Sequence, residues 1–135
     1  MTLTRRYRFP ASHRLHTSAL SDAENAQLYG KCNNPFGHGH DYVLDITVEG
    51  APDASGQIVK RDALDALVTR EVLARLEHRN LNCDVPQLRG KVTTTENLAL
   101  VIQSLLSSRW DLPSRLAAVR VSETDRNSFE LRIPQ

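Results

Sequence analysis

Apolar and polar residues alternate in four stretches of the chain, and this period of two predicts four β-strands. The first strand covers residues 3–13, where Pro10 indicates an edge position or a bulge. The residues expected to face inward are Tyr7, Phe9, Ala11 and His13 in the first strand; His38, His40, Tyr42, Leu44, Ile46 and Val48 in the second; Ala117, Val119, Val121 and Glu123 in the third; and Phe129, Leu131 and Ile133 in the fourth.

Two stretches between the second and third strands have helical spacing instead. The first helix is predicted over residues 62–77 with Asp62 as its N-cap, and the second follows a Thr93/Glu96 pair with the spacing of a capping box. Residues 14–28 are polar and are expected to form a loop with at most a short helical turn. The apolar positions of the helices are Leu64, Leu67, Val68, Val72 and Leu76, and Leu98, Val101, Ile102 and Leu105.

The predicted order of strand, strand, helix, helix, strand, strand favours an α+β fold over residues 1–135 as a single domain. Its simplest form is an antiparallel four-stranded sheet with both helices on one face. The edges of such a sheet need cover, which oligomerisation can provide.

Composition narrows the class of protein. The 135 residues contain 17 basic and 16 acidic side chains, a formal charge of +1, so nothing indicates a nucleic-acid or membrane-surface partner. No apolar run approaches the roughly 20 residues of a spanning helix, and no secretory signal is visible. Two cysteines without a pairing pattern favour a cytoplasmic protein with reduced thiols.

Three histidines, His13, His38 and His40, are expected at strand ends on the inward face. Three neutral imidazoles with an open fourth position are the ligand set of a catalytic zinc site. A His-x-His pair alone is a weak signal, and an inward His13 could equally be a satisfied core residue.

Cys32 precedes His38 by six positions on a Gly/Asn/Pro-rich loop. Its thiol could be a base or nucleophile, favoured as the thiolate by Lys31. It could also be a fourth zinc ligand that closes the site, or an inert buried thiol. Cys83 has no partner spacing and is expected to be structural.

Two carboxylates stand out by position. Alternation places Glu123 on an apolar face, where it could bind adjacent N–H donors of a planar ligand, unless a register break returns it to solvent. Glu77 and His78 at the end of the first helix could form a carboxylate–imidazole pair for proton transfer, although an exposed helix end is the simpler interpretation.

Seven blocks of the chain stand out in order: Phe9–His16, Leu20–Asn25, Leu28–His40, His78–Asn82, Asp84–Pro86, Thr94–Asn97 and Glu123–Asn127. Together they resemble the 6-pyruvoyl-tetrahydropterin synthase family. The resemblance implies the tunnelling fold and a zinc-dependent lyase that converts 7,8-dihydroneopterin triphosphate to 6-pyruvoyl-tetrahydropterin and triphosphate. It also implies a homohexamer, a dimer of trimers whose sheets close into barrels with active sites between subunits.

The resemblance also implies a role for each matched residue. His13, His38 and His40 would bind zinc, and Cys32 would be the general base. His78, with the preceding Glu77, would complete a proton relay. Glu123 would anchor the pterin, and Thr94 and Thr95 would line its pocket.

Two residues depart from the family pattern, which usually has aspartate where Glu77 stands and asparagine where Asp41 stands. A related alternative is 6-carboxy-tetrahydropterin synthase of queuosine biosynthesis, in which three residues usually separate the cysteine from His-Gly-His. Here five residues separate Cys32 from His38, which favours the pyruvoyl enzyme. A catalytically silent zinc- or pterin-binding homologue is a further alternative, to which Glu77 gives some weight.

Overall fold

A computed structural model of the chain describes residues 1–135, which fold around one four-stranded antiparallel sheet. The strands are β1 (Thr2–His13), β2 (His38–Glu49), β3 (Arg115–Thr124) and β4 (Asn127–Arg132), in the spatial order β1-β2-β3-β4. The helices are α1 (Asp22–Tyr29), α2 (Arg61–Val68), α3 (Ala74–Leu76) and α4 (Thr95–Ser107). A π-helical turn, Thr69–Leu73, joins α2 to α3, and short 3-10 turns span Gly30–Asn33 and Pro86–Leu88.

The core lies between one face of the sheet and the helices α2 and α4. Phe9, Leu44 and Val119 from the sheet are buried in the same cluster as Leu64 and Ile102 from the helices. The predicted α+β fold, with the main helices on one face of an antiparallel sheet, is therefore confirmed.

Pairing between β1 and β2 brings the histidines to one end of the sheet. The two strands pair without a register shift, so that His13 lies opposite His38 and Ala11 opposite His40. Because alternate residues face the same side, these three imidazoles face inward, as the alternation predicts. The positions of these histidines are thus fixed by strand register.

Helix α1 is a correction to the prediction of a loop over residues 14–28. Its only buried residue is the polar Asn25, so the apolar period that identifies a helix is missing. The helix is specified by a capping box, because Ser21 accepts a hydrogen bond from the Glu24 amide and the Glu24 carboxylate accepts one from the Ser21 amide.

Both predicted N-caps were wrong by one or two positions. Helix α2 is preceded by Lys60, which makes no side-chain cap bond, and Asp62 lies in the first turn. Helix α4 is capped by Thr94, whose hydroxyl accepts from the Asn97 amide, and not by Thr93.

The predicted inward face of β3 is wrong at Ala117, because a β-bulge lies there. The register shift between β2 and β3 falls beside Val48, which pairs with Leu116, while Thr47 pairs with Ala118. Leu116 is therefore buried in the core and Ala117 is only partly buried. Beyond the bulge the predicted alternation holds, with Val119 inward.

Pro10 lies on β1, which is an edge strand as predicted. Part of that edge is covered by the segment that follows α3. His78 donates its amide hydrogen to the Pro10 carbonyl at 2.7 Å, and Ser12 exchanges hydrogen bonds with Arg79 and Leu81.

None of the helices has both the length and the apolar character needed to cross a membrane.

Candidate active site

Four potential ligand side chains converge at the end of the sheet. They are His13 at the end of β1, Cys32 in the 3-10 turn, His40 near the start of β2 and Glu123 near the end of β3. One ligand atom from each lies within 4.8 Å of the others. Nitrogen, sulfur and carboxylate donors at this separation could hold a metal ion.

His13 is held in an orientation that leaves one ring nitrogen available to a metal ion. Its ring is fully buried, and Nδ1 donates to the Thr93 carbonyl at 2.8 Å. That bond leaves the lone pair on Nε2, which is buried and has no hydrogen-bond partner. Burial also lowers the pKa of His13, which favours the neutral ring that a metal requires.

The Glu123 side chain faces inward and is not returned to solvent by a register break, which were the two alternatives that the sequence left open. Its Oε1 lies 3.0 Å from Nε2 of His40, and its Oε2 accepts a hydrogen bond of 2.7 Å from the Thr95 hydroxyl. Thr95 is 2% exposed, so this bond is shielded from water. Burial lowers the pKa of His40 despite the neighbouring carboxylate.

Cys32 belongs to the cluster and is not an isolated buried thiol. Its Sγ lies 3.6 Å from Nε2 of His40 and 3.8 Å from Oε1 of Glu123. Burial raises the pKa of the Cys32 thiol, and the Glu123 carboxylate raises it further. Lys31 is exposed, so the chain alone does not favour the thiolate as the sequence suggested. Cys83 is free and exposed.

His38 lies beside the cluster, but its ring nitrogens are farther from the other ligand atoms. Its ring centroid is 4.7 Å from that of His40, with the two rings nearly perpendicular. The ring nitrogens of His38 are not among the atoms that converge within 4.8 Å. The structure therefore brings two of the three predicted histidines together with Cys32 and Glu123, and His38 adjoins them.

Glu77 and His78 lie at the surface, outside the cluster. The His78 side chain is 76% exposed, and its Nε2 is 3.8 Å from Oε1 of Glu77. His78 also has a φ of 59°, a left-handed conformation that non-glycine residues seldom adopt. His78 and His40 both line a cleft of about 350 Å³.

Two partners in the site were missed from the sequence. The Thr93 carbonyl orients His13, and Asn33 ties the Cys32 turn to the chain after β1 through its bond to the Leu15 carbonyl. A main-chain carbonyl leaves no trace in sequence pattern. Asn33 could have been noticed only as one of two adjacent asparagines after Cys32.

Two histidines, a cysteine and a glutamate that could hold a metal ion, at the end of an antiparallel α+β sheet, are typical of a metal-dependent enzyme. The family model for 6-pyruvoyl tetrahydropterin synthase matches residues 2–134 of this chain. The chain therefore belongs to the 6-pyruvoyl tetrahydropterin synthase family, which confirms the resemblance found in the sequence.

Individual relatives agree with this assignment. The chain is 43% identical to the 6-pyruvoyl tetrahydrobiopterin synthase of Homo sapiens over 126 residues, covering 93% of this chain and 86% of that protein. It is 42% identical to that of Poecilia reticulata over 127 residues, covering 93% and 85%. The solved structure of the Caenorhabditis elegans 6-pyruvoyl tetrahydropterin synthase has a TM-score of 0.91 at 38% identity and covers 99% of this chain and 96% of that one.

Proposed function

We propose that this chain is a zinc-dependent lyase that converts 7,8-dihydroneopterin triphosphate to 6-pyruvoyl-tetrahydropterin and inorganic triphosphate. The observation that carries the proposal is the convergence of His13, Cys32, His40 and Glu123 in a member of this family. The oxidation state changes only within the substrate, so the reaction requires no external oxidant or reductant.

His13, His38 and His40 are the proposed zinc ligands. The unpartnered Nε2 of His13 and the neutral state favoured for His13 and His40 by burial fit that role. A bound zinc ion supplies a Lewis acid that polarises the side-chain hydroxyls of the substrate and favours the thiolate of a nearby cysteine. Cys32 and Glu123 remain free for the substrate in this assignment.

Cys32 is the proposed general base. Its thiol is half-buried beside His40 and Glu123, within reach of a substrate held over the cluster. Cys32 takes a proton from a side-chain carbon of the substrate, and the tautomerised side chain then expels triphosphate.

Glu123 is the proposed anchor of the pterin ring. A carboxylate accepts two hydrogen bonds from adjacent N–H groups of a planar ring. Thr95 fixes the orientation of that carboxylate through Oε2. Thr94, which caps α4 next to Thr95, is assigned to the same pocket by the family resemblance.

Glu77 and His78 are the proposed proton relay. The left-handed backbone of His78 and its carboxylate neighbour support a functional position, because such strain is concentrated at active sites. Both side chains are exposed in the single chain, but His78 lines the same cleft as His40, so a substrate bound in that cleft would contact both imidazoles.

We also propose that the protein assembles as a homohexamer, a dimer of trimers, with its sites between subunits. The outer edge of β4 has no partner within the chain, and most of the outer edge of β1 is likewise free, which supports pairing between copies. Sedimentation should give the mass of six chains of 15.1 kDa. We also propose a cytoplasmic location for the protein, which its two free cysteines, Cys32 and Cys83, support.

The proposal is tested by incubating zinc-loaded protein with 7,8-dihydroneopterin triphosphate and identifying the pterin product by mass spectrometry. Triphosphate with a 6-pyruvoyl product is expected. A carboxy product with acetaldehyde would assign the chain to the queuosine branch instead. Pterin binding without turnover would identify a silent homologue.

A further inference from the structure

We propose that Asn33 is a positioning residue that holds the Cys32 thiol at the site by clamping its turn to the chain segment after β1. That segment is Arg14–His16, which follows β1 directly after His13. For its turnover readout the inference rests on the proposed function, but its second readout does not.

The 3-10 turn that carries Cys32 is not anchored by packing in the core. It spans only Gly30–Asn33, and none of its residues is buried. A short 3-10 turn without a buried residue cannot fix a side chain by core packing. The Cys32 thiol nevertheless lies 3.6 Å from His40 Nε2, so other contacts must hold it there.

Hydrogen bonds from Asn33 and its neighbours supply those contacts. Nδ2 of Asn33 donates to the Leu15 carbonyl at 2.7 Å and lies 3.0 Å from Nδ1 of His16. The Leu15 amide donates to the Cys32 carbonyl at 2.6 Å, and Nε of Arg14 donates to the Asn33 carbonyl at 3.1 Å. Asn33 is the only residue of the turn that contributes a side-chain amide to this junction.

The segment Arg14–His16, to which Asn33 bonds, is also held by hydrogen bonds to Asn82. Asn82 accepts from the Arg14 amide at 2.7 Å through Oδ1 and donates to the Arg14 carbonyl at 3.0 Å through Nδ2. His13, one residue earlier, is fully buried. The amide of Asn33 therefore connects the Cys32 turn to a rigid part of the fold.

The variant that tests this is Asn33→Ala, and Asn34→Ala is the matched control. Asn34 is the adjacent asparagine and is exposed, and its side chain accepts a hydrogen bond only from the nearby Phe36 amide. Both variants are made with Cys83→Ser, because Cys83 is exposed and would itself react with an alkylating reagent. All proteins are studied as purified, zinc-loaded full chains.

Two readouts distinguish positioning from folding. Displacement of a catalytic group by about 1 Å can cost about 100-fold in rate, so Asn33→Ala should lower kcat by about 10- to 100-fold with little change in KM. The limiting rate of Cys32 alkylation by iodoacetamide at high pH, where the thiol is ionised in every protein, should become about 10-fold faster, because the thiol leaves its packed position. Asn34→Ala should stay close to the parent in both readouts.

Equal zinc content in all variants is also expected, because Asn33 contacts none of the proposed metal ligands. Unchanged kcat and unchanged alkylation in Asn33→Ala would overturn the inference, as would the same changes in Asn34→Ala. If Asn33→Ala does not fold, Asn33→Ser, which keeps one donor, should still accelerate alkylation relative to Asn34→Ala, and failure to do so would overturn it. A parent protein without turnover but with the alkylation contrast would reject the proposed function while retaining the role of Asn33.

Discussion

The hydrogen bond between Thr95 and Glu123 provides a sharp test of the pterin anchor. Thr95→Val removes the hydroxyl but keeps the shape of a side chain that is 2% exposed. Oε2 of Glu123 then loses a donor at 2.7 Å. A hydrogen bond to a charged group is worth about 1.5–3 kcal/mol, and the partial exposure of Glu123 favours the lower end of that range.

Without that donor the carboxylate can turn away from the orientation that two parallel N–H bonds require. A loss of about 1.4 kcal/mol of pterin binding is a tenfold rise in Kd. The assay is titration calorimetry of zinc-loaded protein with 7,8-dihydroneopterin, which carries the pterin ring without the triphosphate.

Thr93→Val is the control for this prediction. Thr93 is also buried, at 1% exposed, but its hydroxyl makes only a long bond of 3.5 Å to the Arg14 carbonyl. Its carbonyl, which orients His13, is retained in the variant. Thr93→Val should leave pterin affinity near that of the parent. A Thr95→Val protein with unchanged affinity, or an equal loss in both variants, would refute the assignment of Glu123 as the anchor through this bond.

Two further predictions concern the relay and the fold. Glu77→Gln should lower kcat by about 10-fold or more, since it removes the charge beside the His78 imidazole, whereas Glu77→Asp should remain active; steady-state kinetics with a fully active Glu77→Gln would reject the relay. The Arg5 guanidinium holds the pKa of Asp65 below its usual value, so this pair stabilises the fold above about pH 4 and loses that contribution as the pH falls through the lowered pKa. Asp65→Asn should therefore reduce the free energy of unfolding by about 1–3 kcal/mol at pH 7 and by less at pH 3, as measured in urea. An equal reduction at both pH values would contradict this linkage.

The sequence predicted those parts of the fold that depend on period. Alternation along the strands assigned Phe9 and His13 to the buried face, and the helical repeat identified α2 and α4. The inward direction of Glu123 also follows from the alternation of Val119 and Val121, and it is kept although the pairing of β3 with β4 shifts register between Ser122 and Thr124. Strand register then brought the site together.

The parts that could not be predicted depend on single hydrogen bonds or on distant contacts. Helix α1 has no apolar face, and its start is determined by Ser21 and Glu24 alone. The cap of α4 falls on Thr94 in a run of three threonines that alternation cannot separate. The bond from Thr95 to Glu123 joins residues 28 positions apart, and only the packing of α4 against β3 makes it possible.

The proposed mechanism requires Cys32 to be a base beside the metal and not one of its ligands. The direct measurement compares zinc-loaded parent and Cys32→Ala proteins for bound zinc and for release of triphosphate from 7,8-dihydroneopterin triphosphate. We predict equal zinc content in both proteins and loss of triphosphate release in Cys32→Ala. Loss of zinc from Cys32→Ala would make the thiol a ligand and contradict the account, as would triphosphate release at the parent rate.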